Sequence, residues 1–156
     1  MNISVVLYQP EIPPNTGNIG RLCVGFGVPL YLIEPLGFSL DDRELKRAGL
    51  DYWPKLNFQL FPNFEEFWQQ KILTKSSGNI YCFSTKGKTA VEQLNFQKGD
   101  TLLFGSETKG FPVAKSDHYA IERVKLPMKE DIRSYNLANA VAMGLYAAHR
   151  SFLSKG

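Results

Sequence analysis

The sequence predicts an α/β fold with a mostly parallel sheet flanked by helices, and three observations carry that expectation. Six apolar, β-rich runs alternate with segments of helical period. Several of those runs are near-continuous Val, Ile, Leu and Phe instead of alternating polar and apolar, the pattern of strands covered on both faces. The length of 156 residues, 44% of them apolar, fits one domain whose core needs no disulfide or metal staple. Residues 1–156 are therefore read as a single domain, with no internal repeat, low-complexity tract or linker.

Strands are expected at Ile3–Leu7, Leu30–Ile33, Phe58–Phe61, Ile80–Ser84, Thr101–Phe104 and Ile121–Leu126. The first helix is expected to be capped by Asn15 or Thr16. It carries Ile19, Leu22, Cys23 and Phe26 at i, i+3, i+4 and i+7, and Gly27 stops it. Asp41–Arg47 is short, polar and helical in period. Asn63 with Glu66 forms a candidate capping box ahead of Phe64, Phe67, Trp68 and Ile72. The last helix, from about Leu137 to Leu153, has Ala138, Val141, Ala142, Met143, Leu145, Tyr146, Ala147 and Ala148, almost no polar face in its first three turns. A helix apolar all round must be covered on two sides. One cover is the sheet, and the other is expected to be a second subunit, so a homodimer through this helix is predicted.

Composition excludes several classes. With 18 basic and 15 acidic residues the net charge is +3, ordinary for a globular protein and unlike a disordered tail. That charge permits an acidic partner such as nucleic acid without demanding one. No apolar run approaches the ~18 residues a membrane span needs. The segment Met1–Tyr8 lacks the basic start and small-residue cleavage site of a signal peptide. A cytoplasmic protein is expected, with Cys23 and Cys82 as buried reduced thiols. With His118 and His149 the only histidines, no metal cluster can be assembled.

In open α/β sheets ligands bind beyond the carboxyl ends of strands. Three predicted strand ends carry unusual local composition: Phe83–Gly87, Phe104–Gly110, and Leu126–Met128 with the polar loop running on to Asn136. Glycines there let backbone approach a ligand closely. Dinucleotide binding fails on spacing, since Asn15–Gly20 lacks G-x-G-x-x-G and no G-x-x-x-x-G-K-[ST] occurs. No G-x-S-x-G elbow is present, and Glu107 is a lone carboxylate without a partner for glycoside chemistry. Asn18 and Arg21 share the face opposite Ile19, Leu22 and Cys23, placing a cation near a helix N-terminus where a phosphate could dock.

Three stretches resemble, in order and spacing, the three motifs of the SPOUT (SpoU–TrmD) RNA methyltransferases. They are Pro10–Arg21, Leu103–Gly110, and Val124–Met128 with Arg133–Val141. Leu32–Phe38 and Ala48–Tyr52 narrow the likeness to the short branch of tRNA 2′-O-methyltransferases that modify the wobble cytidine or uridine of leucine tRNAs. The resemblance implies S-adenosylmethionine as methyl donor, no metal, tRNA bound at its anticodon region, a homodimer, and a C-terminal deep trefoil knot. Sequence physics alone would argue against the knot, because threaded chains are rare.

Residue by residue, Phe83, Gly105, Leu126 and Ser134 match positions that hold the donor, largely through backbone groups. Ser84, Glu107, Gly110, Met128 and Asn139 match their neighbourhood, and Asn15 and Tyr146 are weaker candidates. Arg21 matches the arginine given a catalytic role. A guanidinium is a poor base, so Arg21 is expected to steady the developing alkoxide or grip a phosphate, with Glu107, water or a phosphate oxygen taking the proton. Phe83, Ser84 and Tyr135 stand where relatives more often show leucine, threonine and methionine. Arg43, Lys46 and Arg47, at i, i+3 and i+4, are expected to form an RNA-binding face, with Lys86, Lys88, Lys109 and Arg133 second in rank. The rival readings are a 2′-O-methyltransferase of another tRNA or of rRNA, a non-catalytic RNA binder of the same fold, and a flavodoxin-like nucleotide binder.

Overall fold

A computed structural model describes residues 1–49, 52–74 and 78–155. Of the Ala48–Tyr52 stretch, Leu50 and Asp51 lie outside the described residues. The chain forms β1 (Ser4–Tyr8), α1 (Pro13–Phe26), β2 (Leu30–Ile33), α2 (Arg43–Gly49), β3 (Phe58–Phe61), α3 (Phe64–Leu73), β4 (Ile80–Phe83), β5 (Thr89–Ala90), β6 (Thr101–Phe104), α4 (Val113–His118), β7 (Glu122–Lys125) and α5 (Leu137–Leu153). The strands make one seven-stranded sheet in the order β3-β2-β1-β6-β4-β7-β5. Every pairing is parallel, with Val5 of β1 in register with Leu30 on one side and Leu102 on the other. All carboxyl ends therefore share one rim.

Residues of β1 point alternately to two cores, as the period of two requires. Val5 and Leu7 pack with Ile19 and Cys23 of α1 and with Val141, Leu145 and Ala148 of α5. Val6 and Tyr8 pack on the opposite face with Phe61, Phe64, Phe67 and Phe111. The predicted layering is thus observed, with α1 and α5 on one face and α3 on the other. Strands β4 and β6, inside the sheet, are buried at every position. Both thiols are free and buried, and loss of solvation pushes each up to about 12. Among the described residues no helix is long and apolar enough to cross a membrane.

The start of α1 corrects the sequence reading. Asn15 and Thr16 do not cap the helix; they are buried within its first turn, and Ile12 is the flanking residue. Pro13 and Pro14 open the helix, where a missing N–H costs nothing and a fixed φ is already helical. The other ends follow expectation. Gly27 closes α1 at φ 67°, donating its N–H to the carbonyls of Cys23 and Val24. The Asn63 side chain accepts the Glu66 N–H at 2.9 Å and starts α3. Among the strands and α-helices of the described residues, two are not foreseen from sequence, the two-residue β5 and the six-residue α4. β7 is also shorter than the predicted run, ending at Lys125.

Candidate active site

Beyond the carboxyl ends of β4, β6 and β7 lies an open cavity of about 940 Å³, walled by the three strand-end loops singled out from the sequence. Its floor includes Phe83 and Phe104, whose rings stack at 4.8 Å with 16° between planes. Leu126, Leu137 and Ala140 add apolar wall, while Lys86, Lys109 and Arg133 bring cations to it. The loop after β6 folds back tightly on itself: Gly110 donates its N–H to the Ser106 carbonyl at 2.9 Å and sits at φ 68°. A Cβ on Gly105 would lie 2.0 Å from Phe111 N and 2.1 Å from Gly110 C, so only glycine permits this fold of the loop. The Tyr135 hydroxyl donates to the Pro127 carbonyl at 2.5 Å, tying the two stretches of the post-β7 loop together. That gives a structural part to the tyrosine that stands where relatives more often show methionine.

Glu107 is the carboxylate of this wall, and its oxygens are engaged. Oε1 accepts the Glu11 N–H at 2.9 Å, and Oε2 accepts the Ile12 N–H at 2.6 Å and Asn15 Nδ2 at 3.4 Å. Asn15 Oδ1 in turn accepts Asn136 Nδ2 at 3.0 Å. Next to it, Glu11 Oε1 accepts the Thr108 hydroxyl at 2.6 Å and the Thr108 N–H at 3.3 Å. The Thr108 hydroxyl bond, foremost, holds the Glu11 carboxyl below the usual carboxylate range. The β6 loop, the entry of α1 and the start of α5 are therefore one hydrogen-bonded unit around the cavity. Of its members, Glu11, Ile12, Thr108 and Asn136 are not among the candidates proposed from sequence, although each lies inside one of the three motif stretches.

Of the residues expected to hold a donor, Phe83, Ser84, Gly105, Gly110, Leu126, Met128 and Ser134 all line the cavity, as does Glu107. Asn139 does not. It is exposed in the first turn of α5, its N–H accepted by the Asn136 side chain at 3.2 Å, and it is Asn136 that lines the wall. Asn15 also lines the cavity; Tyr146, 60% exposed on α5, does not. Lys86, Lys109 and Arg133 are at the wall, while Lys88 lies outside it. Arg21 is exposed on α1, outside the wall, with its guanidinium 4.8 Å above the Tyr52 ring. The second turn of α2, which packs along α1, exposes Lys46 and Arg47. Arg43 is exposed one turn earlier, and Lys46 lies 3.6 Å from the exposed Asp41. Among the described residues no group of three or more His, Cys, Asp or Glu is placed to hold a metal ion.

A profile of the SpoU rRNA methylase family matches residues 2–146. The chain belongs to that family. A relative from Aeromonas hydrophila, named tRNA (cytidine(34)-2′-O)-methyltransferase, is 48% identical to this SpoU-family chain over 149 residues, covering 95% of the chain and 93% of the relative. A solved structure described as giving structural insights into the 2-OH methylation of C/U34 on tRNA matches with TM-score 0.90 and 40% identity, over 97% of each chain. The SpoU methyltransferase AviRb from Streptomyces viridochromogenes, in complex with the cofactor AdoMet, matches at TM-score 0.87 and 24% identity, over 98% of this chain and 58% of that one. The last shows shared fold alone.

Proposed function

We propose that this SpoU-family protein is an S-adenosylmethionine-dependent tRNA 2′-O-methyltransferase acting on the wobble cytidine or uridine of leucine tRNAs. The observation that carries the reading is the strand-end cavity, in which all four residues matched to donor-holding positions and four of the five matched to their neighbourhood come together. The names of the 48%-identical relative and of the 40%-identical structure support the same activity. Residues 1–156 act here as one methyltransferase domain in the cytoplasm.

The cavity suits the donor chemically. Its volume is at the upper end of the roughly 300–1,000 Å³ usual for small-molecule sites. Phe83, Leu126 and Leu137 offer apolar surface for a purine, backbone groups of the loops offer hydrogen bonds to its edge, and Lys86, Lys109 or Arg133 offer a cation to a carboxylate. When bound, S-adenosylmethionine supplies a methyl made electrophilic by the positive sulfur beside it. The chain's own task is then largely positioning. Arg21 steadies the alkoxide or an adjacent phosphate through its guanidinium. Arg43, Lys46 and Arg47 meet phosphates of the anticodon stem-loop.

Of the three proton acceptors considered from sequence, we favour two. Both Glu107 oxygens are engaged by N–H groups of Glu11, Ile12 and Asn15, which turns the carboxylate toward the start of α1. We assign proton loss to water or a phosphate oxygen and give Glu107 the role of joining the cavity to α1.

The kinship also implies a deep trefoil knot in the C-terminal part and a homodimer through α5. The dimer draws support from Tyr146 and Leu153, 60% and 66% exposed on that helix. Incubating unmodified leucine-tRNA transcript with methyl-labelled donor, then identifying the labelled nucleoside, tests the activity. A 2′-O-methylated wobble nucleoside is expected. Label at another ribose, or in rRNA fragments only, would overturn the assigned substrate, and no transfer despite donor binding would leave a non-catalytic RNA binder.

A further inference from the structure

Two consecutive residues of α1 meet two consecutive residues after α2. Gly20 is buried, and a Cβ there would lie 3.1 Å from the Trp53 ring and 3.1 Å from Leu56. The glycine thus lets the 52–56 segment seat directly on the helix, and Trp53 is fixed from its other side by Phe58, with ring centroids 5.2 Å apart. That docking fixes what lies one residue along on each partner. The Arg21 guanidinium carbon stands 4.8 Å from the centre of the half-buried Tyr52 ring. Among the described residues no carboxylate pairs with Arg21.

The chemistry of this arrangement differs from that of an ion pair. A carboxylate would occupy the N–H fork of the guanidinium, whereas an aromatic face attracts the cation through the ring's negative quadrupole and leaves the donors at the edge free. An exposed arginine that must meet a phosphate or an alkoxide loses rotamer freedom when it does so. A ring beneath it removes part of that loss in advance.

We infer that Tyr52 is a positioning residue, holding the Arg21 guanidinium by its ring face so that its N–H edge is presented to the RNA at the reacting ribose. This rests on the role given to Arg21 in the proposed function. It assigns the work to the ring and none to the hydroxyl.

The experiment compares Tyr52→Phe, Tyr52→Leu, Arg21→Ala and the Tyr52→Leu/Arg21→Ala double variant in steady-state methyl transfer to leucine-tRNA transcript. Melting temperature and S-adenosylhomocysteine affinity are measured alongside. Tyr52→Phe should stay within about two-fold of the parent, and Tyr52→Leu should lower kcat/KM for tRNA roughly 3- to 30-fold. Donor-product affinity should not move, because neither residue lines the donor cavity. The double variant should be no slower than Arg21→Ala alone.

Parental activity in Tyr52→Leu overturns the inference. So does a Tyr52→Phe variant as slow as Tyr52→Leu, or a double variant slower than Arg21→Ala by the full Tyr52→Leu factor. A fall in donor-product affinity matching the fall in kcat/KM would show a general structural defect and overturn it too. Full activity in Arg21→Ala would remove the role of Arg21 itself, and is thereby distinguished from failure of the Tyr52 contact.

Discussion

Glu107, at the carboxyl end of β6, accepts the backbone N–H of Ile12 at 2.6 Å across a sequence separation of 95 residues. Ile12 is the residue from which α1 begins, so a side chain of the cavity wall sets the entry of the helix that carries Arg21. A carboxylate at that end also lies favourably to the helix dipole.

Glu107→Gln keeps the size but not the symmetry: one oxygen remains to accept and an NH2 now faces an N–H. The variant should lose about 1–2 kcal/mol of stability, the cost of an unmade bond to a charged acceptor. Urea unfolding measures this, and methyl transfer should fall while donor-product binding falls less.

Gly105→Ala should be worse for the donor than for the fold as a whole. Its Cβ would land 2.0 Å from backbone at Phe111, so the loop has to open. A loss of about 1–3 kcal/mol, the usual cost of overpacking, is expected in denaturant unfolding. Calorimetric titration with S-adenosylhomocysteine should show at least about ten-fold weaker binding, one power of ten being about 1.4 kcal/mol.

The Glu11–Thr108 pair sets a pH dependence. Because the folded pKa of Glu11 is depressed, chiefly by the Thr108 hydroxyl, its stabilising effect is complete above the unfolded carboxylate pKa and is lost as pH falls through the lower folded value. An NMR titration should find the Glu11 carboxyl titrating below the ordinary glutamate value. In Thr108→Val that difference should largely disappear, with no change on the basic side of neutrality.

Neutralising Arg43 and Arg47 together, as glutamines, should weaken tRNA binding and flatten its salt dependence. The slope of log K against log salt should fall by roughly one for each phosphate that is no longer neutralised. Filter binding at several salt concentrations decides this. An unchanged slope would remove the α2 surface from the RNA path.

The parts of this molecule legible from sequence are those decided by local pattern. Ile80–Ser84 and Thr101–Phe104 read as buried strands because each is apolar enough to be covered on both faces, and the strands observed at Ile80–Phe83 and Thr101–Phe104 are buried at every position. Gly27 and Asn63 announce helix ends through chemistry that acts within four residues. What escapes depends on distant partners. Thr89–Ala90 is a strand only because Val124 and Lys125 lie beside it. The six residues of α4 are too few to show a period. Asn15 reads as a cap when its polar side chain is judged against its own helix, whereas it is buried between Glu107 and Asn136. The cavity-lining residues follow from motif resemblance, and the hydrogen bonds joining them from the structure alone.

The central claim is that the cup beyond β4, β6 and β7 receives the methyl donor. A crystal structure with S-adenosylhomocysteine tests it most directly. The ligand is expected between the Gly105–Gly110 and Leu126–Ser134 loops, against Phe83; a ligand bound elsewhere on the protein, or none at saturating concentration, would contradict the claim.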